Sequence, residues 1–183
     1  MCIRDRDSKL FLQQNPDFFI NVNVSAKQLE RPDFCRVVLE LLDKTEFPVR
    51  HLCLEITERC RSLPVSVINE RMAVLRGYGI KFAMDDFGTG SSSSAMALEM
   101  LIDEIKIDMS FIRKILVNKK NKAIVQSMVD FANAVNIKSC LEGVENKALE
   151  DYLRTVGATW FQGYYYSKPV GADELEILLS AKK

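Results

Sequence analysis

Along the chain, short runs rich in β-branched and aromatic residues alternate with longer stretches in which apolar residues recur every three or four positions. Six short runs predict strands: FFINVNVS (18–25), LCLEIT (52–57), IKFAMD (80–85), DEIKID (103–108), IKSCLEG (137–143) and TWFQGY (159–164). Between them the helical period takes over. Pro32 stands at a first helical turn, and Phe34, Val37, Val38, Leu41 and Leu42 then share one face until Lys44 and Thr45. From Pro64 the pattern Ile68, Met72, Leu75 runs to the stop at Gly77 and Gly79. Two more helices are expected over 123–135, on Ile124, Met128, Val129 and Ala132, and over 147–156, ended by Gly157; a last one covers 172–179. Strands that alternate with helices predict an α/β class with a parallel sheet.

Successive side chains of a strand face opposite sides, so each strand splits into two rows. One row is apolar throughout: Val22 and Val24, Leu54 and Ile56, Phe82 and Met84, Ile105 and Ile107. These predict an outward face covered by helices. The other row carries Asn21, Asn23 and Ser25, then Glu55 and Thr57, Asp85, Lys106 and Asp108, Glu142 and Gln162. The polar residues gather toward the C-terminal ends of their strands.

Composition narrows the setting. With 183 residues, 48% of them hydrophobic, the chain can bury one core and needs no second domain. Residues 1–10 read as a non-native or disordered terminus, and 11–183 as a single partial domain. Twenty-five basic residues balance 25 acidic ones, so nothing draws the chain as a whole to a nucleic acid polymer or a membrane surface. Five cysteines without a C-x-x-C pair fit a reducing compartment and read as core thiols. No apolar run reaches the ~20 residues of a membrane span. The expectation is a cytoplasmic segment with no membrane contact.

Taken singly, each inward polar residue has an ordinary reading. Asn23 could be a hydrogen-bonded amide, Glu55 a rim ion pair, Lys106 a solvated charge, and Asp85–Asp86 turn chemistry beside Phe87 and Gly88. Charges turned inward on strand after strand are costly unless paired or bound to metal, and core packing does not ask for them. The C-terminal rim is where (β/α) barrels place their chemistry. The donors are oxygens, which favours hard divalent cations such as Mg²⁺ or Mn²⁺ over zinc. Carboxylates around two such ions suit phosphoryl transfer. The sole histidine, His51, has no second histidine to join and reads as structural. The GTGSSSS run lacks the lysine of a P-loop and reads as a gating loop.

The runs NVNVSAKQL (21–29), LEITE (54–58), AMDDFGTGSSS (83–93), DEIKID (103–108), LEGVEN (141–146) and QGYYYSKP (162–169) resemble, in order and spacing, the motifs of the EAL family of cyclic-di-GMP phosphodiesterases of bacterial signal transduction. The resemblance implies a TIM-like (β/α) barrel in which two Mg²⁺ or Mn²⁺ ions hydrolyse cyclic-di-GMP to linear pGpG. Asn23, Glu55 and Asp85 match metal ligands, and Asp86 and Glu142 match ligands or water-mediated holders of the second ion. Lys106 matches the lysine at the nucleophilic water and phosphate, with Asp108 its orienting neighbour. Glu145 and Gln162 match residues that order metal-bound waters, and Glu58 the glutamate that stabilises the DDFGTG loop.

The sequence also departs from that family. No Glu-Ala-Leu motif occurs in it, nor the family's opening strand and helix, so the expected barrel is incomplete at its first strands and the unit taken alone is expected to be inactive. Ser91 and Ser94 replace the usual aromatic and leucine of a loop that helps the family dimerise, which bears on a homodimer through 86–94. Leu141 and Asn146 stand at positions without direct chemical role. Beside the enzyme reading stand two others: an EAL module that binds cyclic-di-GMP as a receptor without turnover, and an interaction domain.

Overall fold

The computed structural model describes residues 12, 18–57, 63–90 and 93–180. Glu58, Ser91 and the expected N-terminal segment 1–10 lie outside the described residues. Six strands form one sheet: β1 (Ile20–Val24), β2 (Leu52–Thr57), β3 (Lys81–Phe87), β4 (Glu104–Ile107), β5 (Lys138–Glu142) and β6 (Trp160–Gln162). They pair in sequential order and all in parallel. Eight α-helices are described: α1 (Ala26–Glu30), α2 (Phe34–Thr45), α3 (Val65–Gly77), α4 (Ser93–Glu99), α5 (Met109–Ile112), α6 (Lys119–Ala134), α7 (Lys147–Arg154) and α8 (Ala172–Ser180).

The sheet curls. A flat sheet of six strands would hold its edges roughly 24 Å apart, at about 4.8 Å per strand. Yet Phe19, just before β1, and Trp160, at the start of β6, have ring centroids 5.4 Å apart. The strands therefore form an open half-barrel, an incomplete TIM-like arrangement in which β1 and β6 do not pair with each other.

The two rows behave as the alternation predicts. Leu54, Ile56, Phe82, Met84, Ile105 and Ile107 are buried in one hydrophobic cluster with Ile68, Met72 and Leu75 of α3 and Val125 and Val129 of α6. Each such side chain contributes about 1.5–3 kcal/mol by leaving water. Cys53, Glu55, Lys106 and Cys140, in the opposite row, are also buried. The described thiols, Cys35, Cys53 and Cys140, are unpaired. No helix among the described residues is long and apolar enough to cross a membrane.

Boundaries move where local chemistry intervenes. The helix expected from 123 begins at Lys119, because the Asn118 side chain accepts hydrogen bonds from the N–H groups of Lys120 and Asn121. The strand expected over 159–164 is limited to Trp160–Gln162, because Gly163 lies against the backbone of Val144 and leaves no space for a Cβ. His51 accepts from Arg50 at Nε2 and lies 2.8 Å from the Phe18 carbonyl at Nδ1, a structural role.

Candidate active site

Lys106 is the centre of the inward row. Its position on β4 lies between β3 and β5, and its side chain is only 5% exposed. The Nζ atom is 2.8 Å from Glu55 Oε1 on β2, 2.8 Å from Glu142 Oε1 on β5 and 3.5 Å from Asp85 Oδ1 on β3. Four strands are thus drawn onto one charge, a convergence that only a curved sheet allows.

The β3 contribution depends on a bulge. Met84 pairs with Ile105 and Phe87 with Ile107, so Asp85 and Asp86 together face the single residue Lys106. Asp86 takes up a left-handed conformation, φ 55°, and its carbonyl accepts from the backbone and hydroxyl of Thr89. Bulges of this kind re-aim side chains at strand ends. A positive φ on a residue that is not glycine stores strain of about 1–3 kcal/mol.

Electrostatics follow from the packing. Burial works against the Lys106 ammonium, but hydrogen bonds from Nζ to Glu142 and Glu55 outweigh it and raise its pKa above the ordinary lysine value. Burial lifts the Glu142 carboxyl above its ordinary range, and Lys106 pulls it back. The group is fixed as an ammonium and can act as a cation, not as a base.

Three carboxylates against one ammonium leave an excess of negative charge. Asn21 adds an amide that donates to Glu55 Oε1 at 2.6 Å, while its own oxygen is buried without a partner. Among the described residues no three carboxylates, histidines or cysteines stand as a ready metal cage. The donor chemistry nevertheless fits hard divalent cations: clustered anionic oxygens and an orphaned amide oxygen.

The remaining expected site residues stand around this quartet rather than in it. Asn23 pairs in register with Glu55 but is exposed, bordering a groove with Gln28 and Arg31. Asp108 is the N-cap of α5, accepting from the Ser110 N–H at 2.9 Å. Glu145 is exposed, 3.7 Å from Arg113. Gln162 pairs in register with Glu142 and is exposed. Two inward residues were passed over in the sequence as site members. Asn21 bonds directly to Glu55, and Glu104 is buried two positions before Lys106 in the same row. Strand parity placed Asn21 inward, and Glu104 shares the parity of Lys106.

The model of the EAL domain family matches residues 4–169. A probable cyclic di-GMP phosphodiesterase of Escherichia coli, PdeG, is 36% identical over 170 residues, 91% of this chain and 33% of that protein. The EAL domain of Mycobacterium smegmatis DcpA has a TM-score of 0.88 at 27% identity, covering 97% of this chain and 82% of that one. BlrP1 of Klebsiella pneumoniae, in a manganese/cy-diGMP complex, has a TM-score of 0.77 at 26% identity, covering 92% and 46%. The chain spans about a fifth to a third of the length of the curated relatives it matches.

Proposed function

Because the chain belongs to the EAL domain family, we propose that it works as part of a cytoplasmic cyclic-di-GMP phosphodiesterase, cleaving one phosphodiester to give linear pGpG. The observation that carries this reading is the quartet of buried Lys106 and Glu55 with the half-buried Asp85 and Glu142. A phosphodiester is itself anionic, so a site with excess carboxylate needs cations to admit it. Asn23, Glu55, Asp85, Asp86 and Glu142 are the residues that would hold two Mg²⁺ or Mn²⁺ ions. Bound there, the ions supply charge neutralisation at the phosphate and a water of lowered pKa.

The chain's own groups do the rest. Lys106, held protonated by its neighbours, stabilises the charge that grows on the phosphoryl oxygens as the P–O bond to water forms and the P–O bond to the leaving sugar oxygen breaks. Glu145 and Gln162, at the ends of β5 and β6, order water at the rim, and Asp108 holds the chain beyond Lys106 by capping α5. The segment 86–94 is the proposed contact between two copies in a homodimer.

The family's Glu-Ala-Leu motif does not occur in the sequence. The six-stranded unit alone is therefore expected to hydrolyse cyclic-di-GMP poorly. The test is to assay the full chain with Mn²⁺, alone and joined behind the opening strand–helix segment of a complete EAL domain. Turnover confined to the joined protein is the expected result. Robust turnover by the lone chain would show that the added segment is dispensable, and tight binding without turnover in the joined protein would favour a receptor.

A further inference from the structure

A carboxylate buried on a short surface helix calls for an explanation, because an exposed pair four residues apart would serve the helix equally well. Glu150 of α7 has a side chain only 7% exposed. Its Oε1 accepts from Arg154 Nε at 3.0 Å and Nη2 at 2.6 Å, and Lys147 Nζ lies 3.7 Å from Oε2. The same Oε1 also accepts from the hydroxyl of Tyr166 at 3.3 Å, a residue beyond β6.

That last contact closes a circuit. The loop after β5 leads from Glu142 through Glu145 into α7, whose N-cap is Asn146. The turn after β6 follows Gln162 and runs through Tyr166. These two segments are already joined at one point: the Val144 N–H donates to the Gln162 carbonyl at 3.0 Å, and the Val144 carbonyl accepts from the Tyr165 N–H at 2.9 Å. Gly163 is packed so tightly on Val144 that no Cβ fits. The Glu150–Tyr166 contact is the second point, on the flank.

We propose that Glu150 is a positioning residue, which through Tyr166 holds the turn 163–167 against the loop 143–145 and so sets Glu142, Glu145 and Gln162 relative to one another. Its role at the rim rests on the phosphodiesterase reading. Two attachments define an orientation where one leaves a pivot, and Arg154 keeps the Glu150 carboxyl below its ordinary pKa, available as an anionic acceptor.

The test uses the full chain with Tyr166→Phe, Glu150→Ala and the double variant. Amide hydrogen exchange at Val144 and Tyr165 should speed up by about fivefold to tenfold in each single variant. Exchange in β2 and β3 should stay as it is. The double variant should be no faster than the singles, because both remove one contact. Mn²⁺ affinity, read by electron paramagnetic resonance, should fall by about tenfold in each. Unchanged exchange at both amides, additive effects, acceleration throughout the chain, or an unmoved Mn²⁺ affinity despite faster exchange would each overturn the proposal. Failure of the unsubstituted chain to bind Mn²⁺ counts against the phosphodiesterase reading instead, and the exchange measurements then decide the clamp by themselves.

Discussion

The two ends of strand β4 carry opposite charges into the same interior. Lys106 and Glu104 are two residues apart, share the inward row and are each 4% exposed. Lys106 has carboxylate oxygens within hydrogen-bonding distance from two other strands, and its pKa rises despite burial. For Glu104 burial dominates. Lys106 and Lys138 pull its pKa down and Glu55 and Glu142 push it up, and the balance leaves it near 7. Equal burial thus has opposite results: direct hydrogen bonds keep one charge fixed, while a partner felt only at a distance leaves the other ready to take a proton. The C-terminal end of the strand belongs to the rim where barrel chemistry is placed, and the N-terminal end to the supporting floor.

The largest effect should come from breaking the paired end. Lys106→Met leaves the buried Glu55 and the half-buried Asp85 and Glu142 clustered without their cation, and should destabilise the chain by about 3–5 kcal/mol in urea unfolding. Added Mn²⁺ should restore part of the loss, since the same oxygens would then have a cation again. An unchanged urea midpoint would mean the quartet does not carry this weight.

Glu104→Gln probes the other end and should show itself through pH. The folded chain holds a proton on Glu104 up to about pH 7, whereas the ordinary value is 4.5. Stability contributed by the neutral group is therefore complete below that ordinary value and is lost as pH rises through the folded value. The unsubstituted chain should lose about 3 kcal/mol from this group between acid and about pH 8, and the variant should not. The difference between the two urea midpoints, followed against pH, checks it. Parallel curves would show that Glu104 ionises as freely folded as unfolded.

This contrast also marks how far the sequence could be read. Period-two alternation is rigid, so β2 falls on Leu52–Thr57 as expected and Glu55, Lys106 and Glu142 turn inward together. Parity says nothing of height along the strand. Glu104 is in the same row as Lys106, and only the structure shows that among the described residues its carboxylate has no hydrogen-bonding partner. The short helices α1, α4 and α5 fall below the length at which a helical period can be recognised. The bulge at Asp85–Asp86 breaks the period itself. Contacts such as Glu150 with Tyr166 join segments with no common repeat, so no pattern announces them.

The smallest effect concerns Asp108, where a residue expected to orient the site is also a helix cap. Its carboxylate accepts from the Ser110 N–H, and α5 then starts at Met109. A cap needs a side-chain oxygen, not a charge. Asp108→Ala should therefore cost about 1 kcal/mol in urea unfolding, and Asp108→Asn only a few tenths. The same two variants separate capping from electrostatics at the rim. If Asp108 acts by fixing the backbone beyond Lys106, Asn should retain Mn²⁺ affinity and Ala should weaken it. If its charge is what matters, both should weaken it alike, and the role assigned to it through α5 would have to be given up.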